Sequence, residues 1–234
     1  MQRLQPDRHG DANLGESLRE ELAEAARICA RMGLVEGFGH VSARREGGGF
    51  MITSTRPMIT AQPGDLIEVD EDGGLESGDA SIMPLETPVH AAVYRARTDV
   101  GAVCRTHSPH AAGWGAREEI PPLILGLEGL SGEIALHHQP DLITDAAAAD
   151  AAAADLGYAD CLLIHSNGMV CTGRDLKEAL VRAWFLEQRS ATADRTPDAP
   201  ALPEPVARDR ARHYSAEAAR AWNWIATRFG EGAA

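Results

Sequence analysis

The chain predicts an α/β fold in layers on one central sheet, largely antiparallel or mixed. Three observations carry this. Apolar positions recur at helical spacing in some segments and at strand spacing in others, and the two kinds interleave. Short hairpin signals join strands, as antiparallel neighbours require. A chain of 234 residues that is 44% apolar can build one sizeable core.

The elements follow in order. Ser17-Leu18-Arg19-Glu20 reads as a capping box, and Leu18, Leu22, Ala25, Cys29 and Met32 repeat behind it at helical spacing up to Gly33. Gly37 to Arg44 is a glycine-rich turn entering a short polar strand. Phe50 to Thr53 and Leu66 to Asp70 read as strands, with Pro63-Gly64 turning the chain between them. Thr87-Pro88 suits a helix start, Thr capping and Pro in the first position, and the helix runs to about Ala96. Gly101 to His107 is a buried strand. Pro121-Pro122 and glycines 126, 129 and 132 mark irregular connections. Asp145 to Asp155, almost pure Ala and Asp, predicts an exposed helix. Cys161 to His165 and Met169 to Thr172 form a hairpin across Ser166-Asn167-Gly168. Asp175 caps a helix whose Leu176, Ala179, Leu180, Ala183 and Leu186 face inward. A last helix spans Ser215 to Phe229, with Trp222, Ile225 and Phe229 on one side. The expected organisation is a polar tail over 1–16, a domain over 17–195, and a proline-rich linker with a C-terminal helix over 196–234.

The formal charge of −13, with no basic cluster, argues against nucleic acid or an anionic membrane as partner. No apolar run reaches membrane-spanning length. The cysteines at 29, 104, 161 and 171 show no paired spacing, which fits a reduced, cytoplasmic protein.

Chemistry concentrates at Ala102 to Pro109. Strand alternation aims Arg105 and His107 the same way, and hiding a cation and an imidazole at the end of an apolar strand is costly. His107 alone also suits a satisfied core histidine, and Arg105 a structural ion pair. By the same alternation His165 shares a face with Asn167, which also suits a plain turn. His137 and His138 face opposite ways, so at most one enters a site. His90 falls mid-helix as a packing residue. His40, after its glycine turn, suits ligand binding or loop support equally.

Four segments, in order, resemble the class II aldolase/adducin family: Gly39 to Arg44; Ile52-Thr53-Ser54 with Pro63 to Leu66; Glu86 to His107; and His165 to Gly173 with Asp175 to Ala179. The resemblance spans roughly Leu18 to Arg189. It implies an α/β/α sandwich around a mostly antiparallel sheet, and a homotetramer with active sites between subunits. It also implies a divalent metal, often zinc, that stabilises an enolate as a carbon–carbon bond breaks. Glu86 matches the family's acid/base position, and Tyr214 resembles a C-terminal tyrosine that reaches a neighbour's pocket; these and Arg105 are the expected catalytic residues. His40, Ser42, Arg44, Ser54, Arg56 and Asn167 are the expected substrate contacts. Trp222 and Trp224 are expected to pack the last helix on a partner surface.

The chain departs from the pattern where metal is held. Arg105 and Asn167 stand where the family usually has histidines. Two readings follow. An ion is kept by His107 and His165 with a third group from Glu86, His110 or His138, or Arg105 replaces the ion's charge and clamps a carboxylate. Pro84 and Leu85 occupy the places of two phosphate-gripping serines, which disfavours a sugar phosphate. Gly39-His40-Val41-Ser42 resembles instead the branch that decarboxylates hydroxyaromatic or semialdehyde acids. The resulting expectation is a lyase, a decarboxylase of a small non-phosphorylated carboxylate, with retro-aldol cleavage or a non-catalytic adducin-like assembly role as alternatives.

Overall fold

The computed structural model describes residues 8–211 and 214–232; residues 1–7 of the expected tail lie outside them. Eight strands form one sheet in the order β4-β3-β2-β1-β5-β8-β7-β6. They are β1 (Gly39–Arg44), β2 (Phe50–Ile52), β3 (Ile67–Val69), β4 (Leu75–Ser77), β5 (Ala102–Thr106), β6 (Ile134–His137), β7 (Cys161–Ile164) and β8 (Met169–Gly173). Every neighbouring pair is antiparallel except β6 with β7, so the mostly antiparallel sheet is as expected. The helices are α1 (Arg8–Arg31), α2 (Thr87–Ala96), α3 (Pro109–Ala116), α4 (Ala146–Leu156), α5 (Leu176–Arg195), α6 (Glu204–Ala211) and α7 (Tyr214–Phe229).

Strand alternation divides the interior in two. Val41, Ala43, Ala102 and Cys104 pack with α1, α3, α5 and α7 on one face. Phe50, Ile52, Val103 and Val170 pack with α2 and α4 on the other. This is an α/β/α sandwich. The second face matters for function, because Ser42 lies opposite Val103, and His40 opposite Arg105, in the β1–β5 register. All four cysteines are buried free thiols. No helix among the described residues is long and apolar enough to cross a membrane.

Several local expectations need correction. The first helix begins at Arg8 rather than Ser17, whose hydroxyl donates instead to Glu21, 3.3 Å away and one turn along. A capping box permits a start without enforcing one, and no proline interrupts residues 7–31. Glu86, not Thr87, occupies the N-cap position of α2, without a side-chain capping bond, and the Thr87 hydroxyl donates to the Pro84 carbonyl at 2.7 Å. The Ala/Asp helix α4 is not simply exposed: Ala149, Ala152, Ala153 and Leu156 are buried, and small alanines let it lie close against α2. The stretch expected as linker is tied down where the Leu202 amide donates to the Leu123 carbonyl at 2.7 Å. Trp224 remains exposed on one side while it meets Trp184 of its own chain, with ring centroids 5.8 Å apart, so a partner surface is still open to it.

Helix α3 has no clear sequence signal, since it holds two glycines and begins with Pro109. Its start is fixed from α5, where the buried Glu187 carboxylate accepts from the His110 and Ala111 amides at 3.1 and 2.9 Å. This ties down the chain just after His107.

Gly168 closes the β7–β8 turn at φ +75°, and a Cβ there would collide with the Thr106 carbonyl and crowd the Arg105 guanidinium. Gly168→Ala is therefore expected to cost about 1–3 kcal/mol from backbone strain alone, read as a lowered urea midpoint with unchanged m-value.

Candidate active site

Glu86 sits at the N-terminus of α2, where the helix dipole favours its negative charge. Its carboxylate does not cap its own helix and turns towards the end of β5. There Oε2 lies 3.0 Å from Arg105 Nη2. Oε1 accepts from Asn167 Nδ2 at 3.1 Å and from the Ile143 amide at 3.3 Å. Arg105 is fully buried; its Nη1 donates to the Thr106 carbonyl at 2.9 Å, and its Nε has no partner. Burial lowers the guanidinium pKa, and Glu86 acts against that shift. His107 Nε2 lies 3.3 Å from Arg105 Nη2 and 3.2 Å from Asn167 Oδ1. One nitrogen cannot accept from the first and donate to the second at once, so each tautomer makes only one of the two bonds. Burial, and then the Arg105 charge, lower the His107 pKa. Its Nδ1 has no well-aligned partner, although the Phe38 backbone is near enough to favour the charged form slightly.

His40 completes the cluster, with Nε2 at 4.0 Å from Glu86 Oε2 and Nδ1 at 2.7 Å from His90 Nε2. Burial, followed by His90, Arg105 and His107, holds its pKa well below the usual value. Burial likewise takes His90 down to about 3.

Above these groups lies a cavity of about 410 Å³. Val35, Phe38, Met58, Pro84, Leu85 and Leu142 give it apolar walls, His40, Glu86 and His107 face it from below, and Arg56 stands on its wall. Arg56 is mostly exposed and 3.3 Å from Asp65. Phe38, Leu85 and Leu142 are exposed at its rim.

The structure thus brings together Glu86, Arg105, His107, Asn167 and His40, with Arg56 alongside. Other expected site residues lie elsewhere. His165 does not share a face with Asn167, because β7 ends at Ile164 and Ser166 takes a left-handed turn at φ +55°. Alternation holds only while the backbone is extended. His165 Nδ1 faces the His138 carbonyl at 3.2 Å and Glu118 at 3.5 Å. Arg44 is spent on the Val100, Tyr94 and Arg97 carbonyls at 3.0–3.1 Å. Ser42 lies in a buried network with His90 and Tyr94. Ser54 is buried and accepts only a long 3.4 Å bond from the Arg56 amide. Tyr214 accepts from Arg182 Nε at 3.1 Å, away from this chain's cavity. The residues missed were His90, Tyr94 and the Ile143 amide. The spacing of Glu86, His90 and Tyr94, four residues apart on one helix, was a signal available for the first two.

The donor set does not fit a divalent ion. An ion needs several converging lone pairs. Here His107 offers one, the Glu86 oxygens are engaged by three donors, and a permanent cation stands between them. Among the described residues no three His, Cys, Asp or Glu side chains are placed to hold a metal. The expected metal pair is not brought together: His107 contacts Arg105 and Asn167, whereas His165 faces the His138 carbonyl.

The family model for the class II aldolase and adducin N-terminal domain matches residues 20–193. The chain belongs to that family. It is 30% identical over 175 residues to a 5-methylthioribulose-1-phosphate/5-deoxyribulose-1-phosphate aldolase of Rhodospirillum rubrum, covering 74% of this chain and 78% of the relative. It is 26% identical over 182 residues to a 3,4-dihydroxyphthalate decarboxylase of Arthrobacter keyseri, covering 70% and 73%. The solved structure of an aldolase II superfamily protein from Pseudomonas syringae superposes with a TM-score of 0.79 at 21% identity, over 97% of this chain and 94% of that one.

Two stability predictions follow from the buried charges. Arg105→Met leaves the Glu86 charge unpaired and is expected to cost about 3–5 kcal/mol; combined with Glu86→Gln it costs less than the sum of the single changes, as a double-mutant cycle in urea will show. The His90 pKa of about 3 lies below the ordinary 6.5, so the unfolded state takes up a proton that the folded state refuses. Stability from this group is full above the unfolded pKa and is lost as pH falls towards the folded one. Urea titrations between pH 7 and 4 should give a slope of up to about 1.4 kcal/mol per pH unit from this residue.

Proposed function

We propose that this chain is a carbon–carbon lyase that decarboxylates a small, non-phosphorylated hydroxyaromatic acid without a resident ion. The observation that carries the reading is the apolar cavity of about 410 Å³ with Glu86, His107 and His40 at its base. A ring fits apolar walls, and the few polar groups orient it. The likeness to 3,4-dihydroxyphthalate decarboxylases of Arthrobacter keyseri and Terrabacter supports the reaction class. Pro84 and Leu85 in the cavity wall support a substrate without phosphate, unlike the aldolase of Rhodospirillum rubrum.

In this reading Arg56 receives the substrate carboxylate. Glu86, held in place by Arg105, accepts a hydrogen bond from a ring hydroxyl and raises the electron density of the ring. A proton from solvent adds to the carbon bearing the carboxyl group. The carbon–carbon bond then breaks, its electron pair stays with the ring, and carbon dioxide leaves. Asn167 holds Glu86 and His107 in register. The chain acts as a cytoplasmic homotetramer, in which a second copy covers the exposed apolar rim of Phe38, Leu85 and Leu142.

One observation favours a second, non-catalytic reading as an assembly module: the Glu86 charge is already neutralised by Arg105. Carbon dioxide release from a panel of hydroxybenzoates and hydroxyphthalates separates the two. The expected result is turnover that survives chelator, and a fall of about 10²-fold or more in kcat for Glu86→Gln. No release, together with no thermal stabilisation by any acid of the panel, would sink the enzyme reading. Turnover that appears only with added zinc would overturn the ion-free form of it.

A further inference from the structure

Behind the cavity, β1 and α2 enclose a chain of polar side chains that leads from His40 into the core. His40 Nδ1 lies 2.7 Å from His90 Nε2. His90 Nδ1 lies 2.6 Å from Ser42 Oγ, and Ser42 Oγ lies 2.8 Å from the Tyr94 hydroxyl. All four residues are buried. Each link is short, and each group has few alternatives. The direction of the hydrogen bonds can therefore be worked out from the closed end.

Burial pushes the Tyr94 phenol up, so it keeps its proton. The Val103 backbone amide acts on its oxygen as a donor and can accept nothing. The acceptor shown for the Tyr94 proton is Ser42 Oγ. Ser42 must then send its own proton to its other partner, His90 Nδ1. A neutral His90 that accepts at Nδ1 carries its proton on Nε2, which faces His40 Nδ1. His40, accepting there, is left with its proton on Nε2. That atom faces the cavity, 4.0 Å from Glu86 Oε2. This is too long for a hydrogen bond, so a ligand atom can take the N–H. The reverse polarity would leave a phenolic proton buried with no acceptor, a cost of about 1–3 kcal/mol for a lost buried partner.

We propose that Tyr94, Ser42 and His90 form a one-way hydrogen-bond relay that locks the His40 proton on Nε2, aimed into the cavity beside Glu86 as the donor that receives an electron-rich oxygen of the ligand. Tyr94, Ser42 and His90 are positioning residues, and His40 makes the contact. The relay explains why Ser42 is withheld from the cavity, and it turns a strand residue and two helix residues into one device. It rests on the function proposed above only for the identity of the ligand.

The test is nitrogen NMR of the full chain with ¹⁵N-labelled histidine, reading the tautomer of each ring at neutral pH, with rings assigned by His40→Gln and His90→Gln. The expected result is a single pattern for His40, with the proton on Nε2, and the same for His90. In Ser42→Ala the His40 signals should move towards an average of the two tautomers. A wild-type His40 that carries its proton on Nδ1, or already shares it between both nitrogens, overturns the relay without need of any variant. A Ser42→Ala protein that folds and keeps the wild-type pattern also overturns it. A locked His40 in a protein that releases no carbon dioxide would keep the relay and sink the decarboxylase reading; a shared proton in an active enzyme would do the reverse.

Discussion

A buried carboxylate and a buried guanidinium hold this site together. Glu86 and Arg105 come from α2 and β5, on adjoining layers of the sandwich, and neither is tolerable inside the protein without the other. Their pairing at 3.0 Å fixes how the start of α2 sits against the end of β5. The remaining lone pairs of Glu86 then recruit the Asn167 amide from the β7–β8 turn and the Ile143 backbone from the segment before α4. Three separate stretches of chain are thereby drawn to the one carboxylate of α2.

The same face of the sheet shows how two periodicities can meet. Glu86, His90 and Tyr94 fall on one side of α2 at steps of four residues. His40, Ser42 and Arg44 fall on one side of β1 at steps of two. The helix rises 1.5 Å and the strand about 3.3 Å per residue, so four helical steps advance about as far as two strand steps. The stripes therefore match rung by rung: His40 with Glu86 and His90, Ser42 with His90 and Tyr94, and Arg44 over the Tyr94 ring at 4.7 Å. A helix and a strand that would otherwise meet through interchangeable apolar contacts are held in a single register by these bonds.

Much of the fold was legible because it follows from short-range rules. The β7–β8 hairpin is announced by Asn167-Gly168, α5 by its Asp175 cap, and the sheet by alternating apolar runs. At the site, the shared direction of Arg105 and His107 was legible for the same reason. What escaped depends on partners distant in sequence. Helix α3 is weak alone and is fixed by Glu187, 76 or 77 residues away. Arg44 looked available for an anion because its three carbonyl partners follow 50 to 56 residues later. His165 was misdirected by one local event, the left-handed Ser166, which ends the alternation on which its placement relied.

Arg105, at a position where the class II aldolase resemblance implies a metal-binding histidine, changes the chemistry such a cavity can support. A divalent ion carries surplus charge and exchangeable coordination sites, so it can take an oxyanion directly. The Arg105 guanidinium has neither property: its charge is matched by Glu86, and it lies beneath the cavity floor. Stabilisation of the phenolate-like charge on a ring oxygen, built up as its proton is drawn towards Glu86, then falls to weaker donors, of which the His40 N–H faces the cavity. A neutral N–H in an apolar pocket stabilises an oxyanion less than an ion does, so the substrate must spread more of the charge itself. A hydroxylated aromatic ring does this by delocalisation, and an isolated hydroxy-acid does not. A donor set that does not fit an ion and the apolar walls of the cavity therefore support the proposed class of substrate for independent reasons.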